Sequence, residues 1–166
     1  MALLIGVGNG DRGDDAAGLA VARLVRAVAP GGLAVTELPG DQLGLLDAWQ
    51  GHAEVYVADA VWSWGAPGTV YRFTVSPAAG ATPLGARFRN RGTHAFSLAE
   101  VIELARALGR LPRRLTGYGI EGASFGLGAP LSRAVDAAAR SVAGQILREL
   151  KAGPATPAGY RPPAGC

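Results

Sequence analysis

Short apolar runs that end abruptly at glycine or aspartate limit what this chain can fold into. Leu3–Val7 is apolar throughout and stops at Gly8, and Val55–Val61 is apolar except for Asp59 near its far end. A run with no polar face is covered on both sides, as in a parallel sheet lying between helices. Leu33–Leu38 and Leu115–Ile120 read as two further strands. Thr69–Val75 alternates after a Gly65–Gly68 turn, which suits an antiparallel strand at an edge.

Helical patterns fill the intervals. One starts at Asp14 or Asp15 and continues through Leu19, Leu24, Val25 and Val28 to Pro30. Asp41 can cap a short helix ending near Trp49, and Ser97 with Glu100 fits a capping box for a helix reaching Leu108. Pro130 opens a last helix that carries Val135, Ala138, Val142 and Ile146 on one stripe as far as Lys151. Strands alternating with helices predict an α/β fold, a three-layer sandwich whose twisted, mostly parallel sheet of about five strands has helices on both faces.

A chain of 166 residues, 49% hydrophobic and 17% charged, is expected to form one globular domain. That domain is placed at residues 1–152. Residues 153–166, with Pro154, Pro157, Pro162 and Pro163, are expected to be a disordered tail. The net charge is +3, and although Arg87, Arg89 and Arg91 alternate, with one aromatic residue, Phe88, among them, no recognition motif accompanies them, so nucleic-acid binding is not expected. Cys166 is the only cysteine, which excludes an intramolecular disulfide or a thiolate metal cluster and suits a reducing, cytoplasmic setting. Neither a signal peptide nor a membrane span is expected. Oligomeric state is left open.

In open α/β sheets ligands bind beyond the carboxyl ends of the strands. Asp15, after the first strand and its loop, Asp59, at the end of the third, and His94, just before a helix, meet that condition. Two carboxylates and an imidazole suit zinc, nickel, manganese or iron(II), and three protein ligands leave positions open for catalysis. Each has a plainer reading: Asp15 as complement to a helix N-terminus, Asp59 as a hydrogen-bonded buried acid, His94 as a polar loop residue. His52 is read as structural. Gly8-Asn9-Gly10-Asp11-Arg12-Gly13 also matches a dinucleotide-binding loop, with Glu37 near the place of a ribose-binding acid. Asp14 and Asp15 would then face a pyrophosphate, a poor arrangement. The alternative function that follows is a non-hydrolytic nucleotide- or metal-binding α/β module.

Several segments taken in order resemble the nickel–iron hydrogenase maturation endopeptidases. These are Gly6-Val7-Gly8-Asn9, Gly13-Asp14-Asp15 and Gly18, then Val57-Ala58-Asp59-Ala60 with Ala66-Pro67-Gly68-Thr69. Thr93-His94 with Leu98-Ala99-Glu100, Gly119-Ile120-Glu121 and Gly128-Ala129-Pro130-Leu131-Ser132 complete the series. The first of these alone would also suit peptidyl-tRNA hydrolases, but those need a histidine near the first helix, which this chain lacks. The resemblance implies an endopeptidase that removes the C-terminal extension of a hydrogenase large-subunit precursor. It implies Asp15, Asp59 and His94 as metal-contacting and catalytic residues, with the nickel supplied by the precursor. Ala16, Ala95 and Ser97 stand where the family often has glycine, and they bear on which precursor fits.

Overall fold

The computed structural model describes residues 1–29, 31–40, 42–79 and 98–153. Its five strands are β1 (Ala2–Gly8), β2 (Leu33–Pro39), β3 (Glu54–Val61), β4 (Val70–Val75) and β5 (Arg114–Glu121). They form one sheet in the order β2-β1-β3-β5-β4. Every neighbouring pair is parallel except β4 with β5, so the antiparallel strand does lie at an edge. The chain leaves β1 toward β2 on one side and returns to β3 on the other. The β1/β3 boundary is therefore the point where the winding reverses, the usual place for a ligand crevice.

Side-chain alternation along the strands divides the core into two layers. Leu3, Ile5, Val55, Val57 and Leu115 pack beneath α2 (Leu45–Ala48) and α3 (Leu98–Ala107). Leu4, Tyr56, Ala58, Tyr118 and Ile120 pack beneath α1 (Ala17–Arg26) and α4 (Arg133–Ala152). This is the predicted three-layer α/β sandwich. Asp59 continues the Val55–Val57 series, so its carboxylate belongs to the α2/α3 side.

Two glycines set how closely α1 approaches the sheet. A Cβ on Gly18 would run into the carbonyl oxygens of Val7 and Ala58, and one on Gly6 into the carbonyl of Gly18. Their absence lets the start of α1 press against both β1 and β3. The residues just ahead of the helix are thereby brought to the end of β3.

Three expected boundaries move. The helix predicted from Asp14 or Asp15 begins instead with a 3-10 turn, Gly13–Ala16, and becomes α-helical at Ala17. No side chain caps it, because the N-cap position is occupied by Ala16. The same helix ends at Arg26, which leaves Val28 65% exposed rather than on the buried stripe. The last helix starts at Arg133, not Pro130: Ser132 is extended (φ −66°, ψ 153°) and its amide is held by Asp14. Asp41, the Ser97 cap, the loop arginines Arg87, Arg89 and Arg91, His94 and the tail after Gly153 lie outside the described residues.

Candidate active site

The loop between β1 and α1 is folded for its own packing. Gly8 has φ +149° and Gly13 φ +55°, a region that side chains other than glycine rarely enter. The space left by their missing Cβ atoms is occupied by the carbonyls of Asp15 and Ser124 respectively. The Asp14 amide donates to the Ser124 carbonyl at 2.7 Å and the Gly128 amide to the Asp11 carbonyl at 2.7 Å. This loop and the one after β5 are thus fastened to each other.

Asp14 is the centre of that fastening. It is fully buried, and its carboxylate accepts from the amides of Ser132 (2.7 Å), Ala123 (2.8 Å) and Ser124 (2.9 Å). Burial alone would raise its pKa; the three amide donors outweigh that and hold the carboxyl below its usual value. Asp14→Ala would strand all three amides, so we expect a loss of about 3 kcal/mol or more in urea unfolding. A loss under about 1 kcal/mol would show that the loops hold without it.

Asp15, the next residue, turns the other way. Burial raises its pKa, while the Arg12 charge and the Asn9 amide oppose the rise. Asp59, at the carboxyl end of β3, is 5% exposed. Burial first, and then the charge of Asp15, push it up to about 8, against a lowering hydrogen bond from the Ala60 amide. The two carboxylates are therefore close enough to repel, at the point where the sheet's winding reverses. Gln42, in the 3-10 turn Gln42–Gly44 ahead of α2, donates Nε2–H to Asp59 Oδ2 at 2.7 Å. Among the described residues its buried Oε1 has no hydrogen-bond partner.

A buried acid that repels its neighbour and stays protonated near neutral pH is a group that a cation would stabilise in ionised form. The donor chemistry of this pair therefore fits a divalent metal ion. Among the described residues no three His, Cys, Asp or Glu side chains come close enough to hold one, so a third donor must come from elsewhere. His94 lies outside the described residues. The helix that follows it in sequence, α3, packs on the Asp59 side of the sheet.

The other candidates find plain roles. Glu37 is paired with Arg23 (2.8 Å) and Arg26 (2.6 Å) on α1 and is not turned to a ribose. The glycine loop closes on its own chain: the amides of Asn9, Arg12 and Asp15 donate to the carbonyls of Asp15, Asn9 and Arg12, and the Asp11 amide to Asn9 Oδ1. His52 lies ahead of β3, at the amino end of the sheet, with Nδ1 3.4 Å from the Met1 carbonyl. Sequence reasoning missed Gln42, whose pairing with Asp59 has no local signature. It assigned Asp15 to the site but missed the tie that Asp14 makes to the loop after β5.

Comparison with known proteins supplies the chemistry. Residues 34–149 match the family model described as HycI, hydrogenase maturation protease. The structure is similar to the hydrogenase maturating endopeptidase HybD of Escherichia coli, with a TM-score of 0.73 and 24% identity over 91% of this chain and 92% of that one. It is also similar to a second endopeptidase from Escherichia coli, at 0.72 and 26% over 92% and 93% of the two chains. The [NiFe] hydrogenase maturation protease HybD of Thermococcus kodakarensis gives 0.65 and 26% over 88% and 98%. No curated protein sequence matches the chain. The family match spans well over half of the 166 residues, so the chain belongs to the hydrogenase maturation protease family and is a peptidase.

Proposed function

We propose that the chain removes the C-terminal extension of a hydrogenase large-subunit precursor that already carries nickel. The observation that supports this is the paired acids: Asp59, at the carboxyl end of β3, is buried and close enough to Asp15 to feel its charge, and its pKa is pushed up to about 8. Asp15, Asp59 and His94 are the residues we assign to contact the nickel of the precursor. The nickel would polarise the scissile carbonyl or lower the pKa of a bound water. Asp59 releases its proton as the nickel-bearing segment enters, and its carboxylate then holds that segment in register. Asp15, the other carboxylate of the pair, takes a proton from the attacking water and passes it to the departing amine as the peptide C–N bond breaks. We place the reaction in the cytoplasm, where a lone cysteine stays reduced. Among the described residues no helix is long and apolar enough to cross a membrane.

The test is incubation of the full chain with nickel-loaded and nickel-free precursor, read by mass. Loss of the C-terminal extension from the nickel-loaded form alone is the expected result. Equal cleavage of both would remove nickel from recognition, and cleavage of neither would leave the pair without this role.

Gln42 has a supporting part in this scheme. Its amide helps to fix the rotamer of Asp59 through Oδ2. Partners of this kind typically change activity or metal affinity by about 10- to 100-fold. Gln42→Leu is therefore expected to lower kcat/KM for the precursor within that range, with little change in melting temperature. Unchanged kinetics would reduce Gln42 to a packing residue.

A further inference from the structure

The end of the sheet that carries the acids also carries exposed aromatic surface. The chain has 3 tryptophans. Trp49 is buried at 1% exposure, whereas Trp62 is 39% and Trp64 70% exposed. The two exposed rings lie against each other with centroids 5.0 Å apart, and Trp62 meets Phe125 at 5.8 Å. Leu127, in the same loop as Phe125, is 84% exposed. Grouped apolar side chains of this size are seldom left in water without a partner.

The loop presenting them is held in place from below. Glu121, fully buried at the end of β5, accepts from Ser63 Oγ at 2.6 Å and from the Ser63 and Gly65 amides at 2.7 and 3.2 Å. Trp64, between those two residues, has φ +65°, the only positive φ at a non-glycine among the described residues. A bulky side chain adopts that conformation only when its surroundings impose it. Here the buried carboxylate imposes it, and the ring is left facing solvent. A binding surface prepared in this way loses little entropy when its partner arrives.

The patch adjoins the acids on both sides. Trp62 stands three residues beyond Asp59 on the chain leaving β3. Phe125 and Leu127 belong to the loop that Asp14, Ser124 and Gly128 fasten to the loop carrying Asp15. Two acids in a crevice can act on one peptide bond, but they cannot hold a folded precursor. We propose that Trp62, Trp64, Phe125 and Leu127 form the docking surface for an apolar stretch of the precursor next to the scissile bond. This rests on the reading that Asp15 and Asp59 cut a polypeptide. The partner is a polypeptide because the family is one of proteases and the patch follows β3 and β5 at the same end of the sheet as the acids to which cleavage is assigned. Aromatic residues, tryptophan above all, are the side chains that anchor such contacts.

The experiment uses the full chain and nickel-loaded precursor, and measures kcat and KM, binding of nickel-free precursor by tryptophan fluorescence and calorimetry, and sedimentation of the enzyme alone. Trp64→Ala and Leu127→Ser are independent substitutions at exposed positions, so both are expected to fold. Trp64→Phe should restore part of the affinity. The expected result is a rise of about tenfold in KM and in the Kd for nickel-free precursor, with kcat within about twofold. Unchanged KM and Kd in both variants, while the wild type cleaves, would overturn the docking surface and leave the catalytic reading intact. A wild type that binds precursor through these residues without cutting it would keep the docking surface and remove the catalytic reading. A wild-type dimer that Trp64→Ala dissociates, with KM unchanged, would assign the patch to a second copy of the chain and overturn the proposal. A wild type that neither binds nor cuts overturns both.

Discussion

Asp59→Asn is expected to reduce cleavage of nickel-loaded precursor by about 10^3-fold or more. The substitution keeps the shape of the side chain and removes the charge. An amide is a weak ligand for a divalent ion. Because Gln42 already donates to Oδ2, an amide there would also either face donor to donor or turn its carbonyl inward. His94→Ala is expected to have an effect of similar size, since it removes the one nitrogen donor assigned to the site. A mass measurement of precursor before and after incubation reads both, with melting temperatures alongside. Cleavage at the wild-type rate by either variant would take that residue out of the site. A variant that fails to fold would instead point to the plain structural reading.

The same substitution is expected to stabilise the metal-free protein at alkaline pH. Asp59 is raised to about 8 in the folded chain, whereas an unfolded aspartate titrates near ~3.9. Between those values the folded state keeps a proton that the unfolded state has released. Stability from this group therefore falls as pH rises through the window, with a slope approaching about 1.4 kcal/mol per pH unit. Below it both states are protonated, and above it the whole penalty is present. Asparagine does not titrate. The advantage of Asp59→Asn should then be small near pH 4 and reach the order of a few kcal/mol at pH 8. Urea unfolding at both pH values, with chelator present, measures it. A difference independent of pH would mean that Asp59 titrates like an exposed carboxylate.

Much of the fold could be read from the chain because the local signals agreed with the tertiary arrangement. The apolar runs at Leu3–Val7 and Val55–Val61 became the central pair β1 and β3, and the alternating Thr69–Val75 became the antiparallel edge. Asp59 stood out because a carboxylate breaks an apolar run, which is physically expensive. The errors share one cause. Pro130 looked like a helix start, but Asp14, 118 residues away from Ser132, holds that residue's amide and delays the helix. Gln42 reaches Asp59 across 17 residues from a short turn with no periodicity to reveal it. Asp15 was assigned to the site from the sequence, but that its neighbour Asp14 is a tie depends on the loop after β5, 109 to 118 residues away. Nothing in the order Trp62-Ser63-Trp64 shows that both rings stay in water. That follows from Glu121, a residue on another strand.

The Asp14 contacts have a consequence for the order in which the molecule becomes competent. They join residues 109 to 118 positions apart in the chain. Closing so long an interval comes late in folding, after local helices and neighbouring strands have formed. During synthesis, β1, α1, β2 and β3 can all have emerged while the loop bearing Asp15 still lacks its anchor. The crevice therefore takes shape only once Ser132 has left the ribosome. A nascent or truncated chain that stops short of it carries Asp15 on an unanchored loop, so under the proposed function an incomplete copy is expected to be inactive toward precursor.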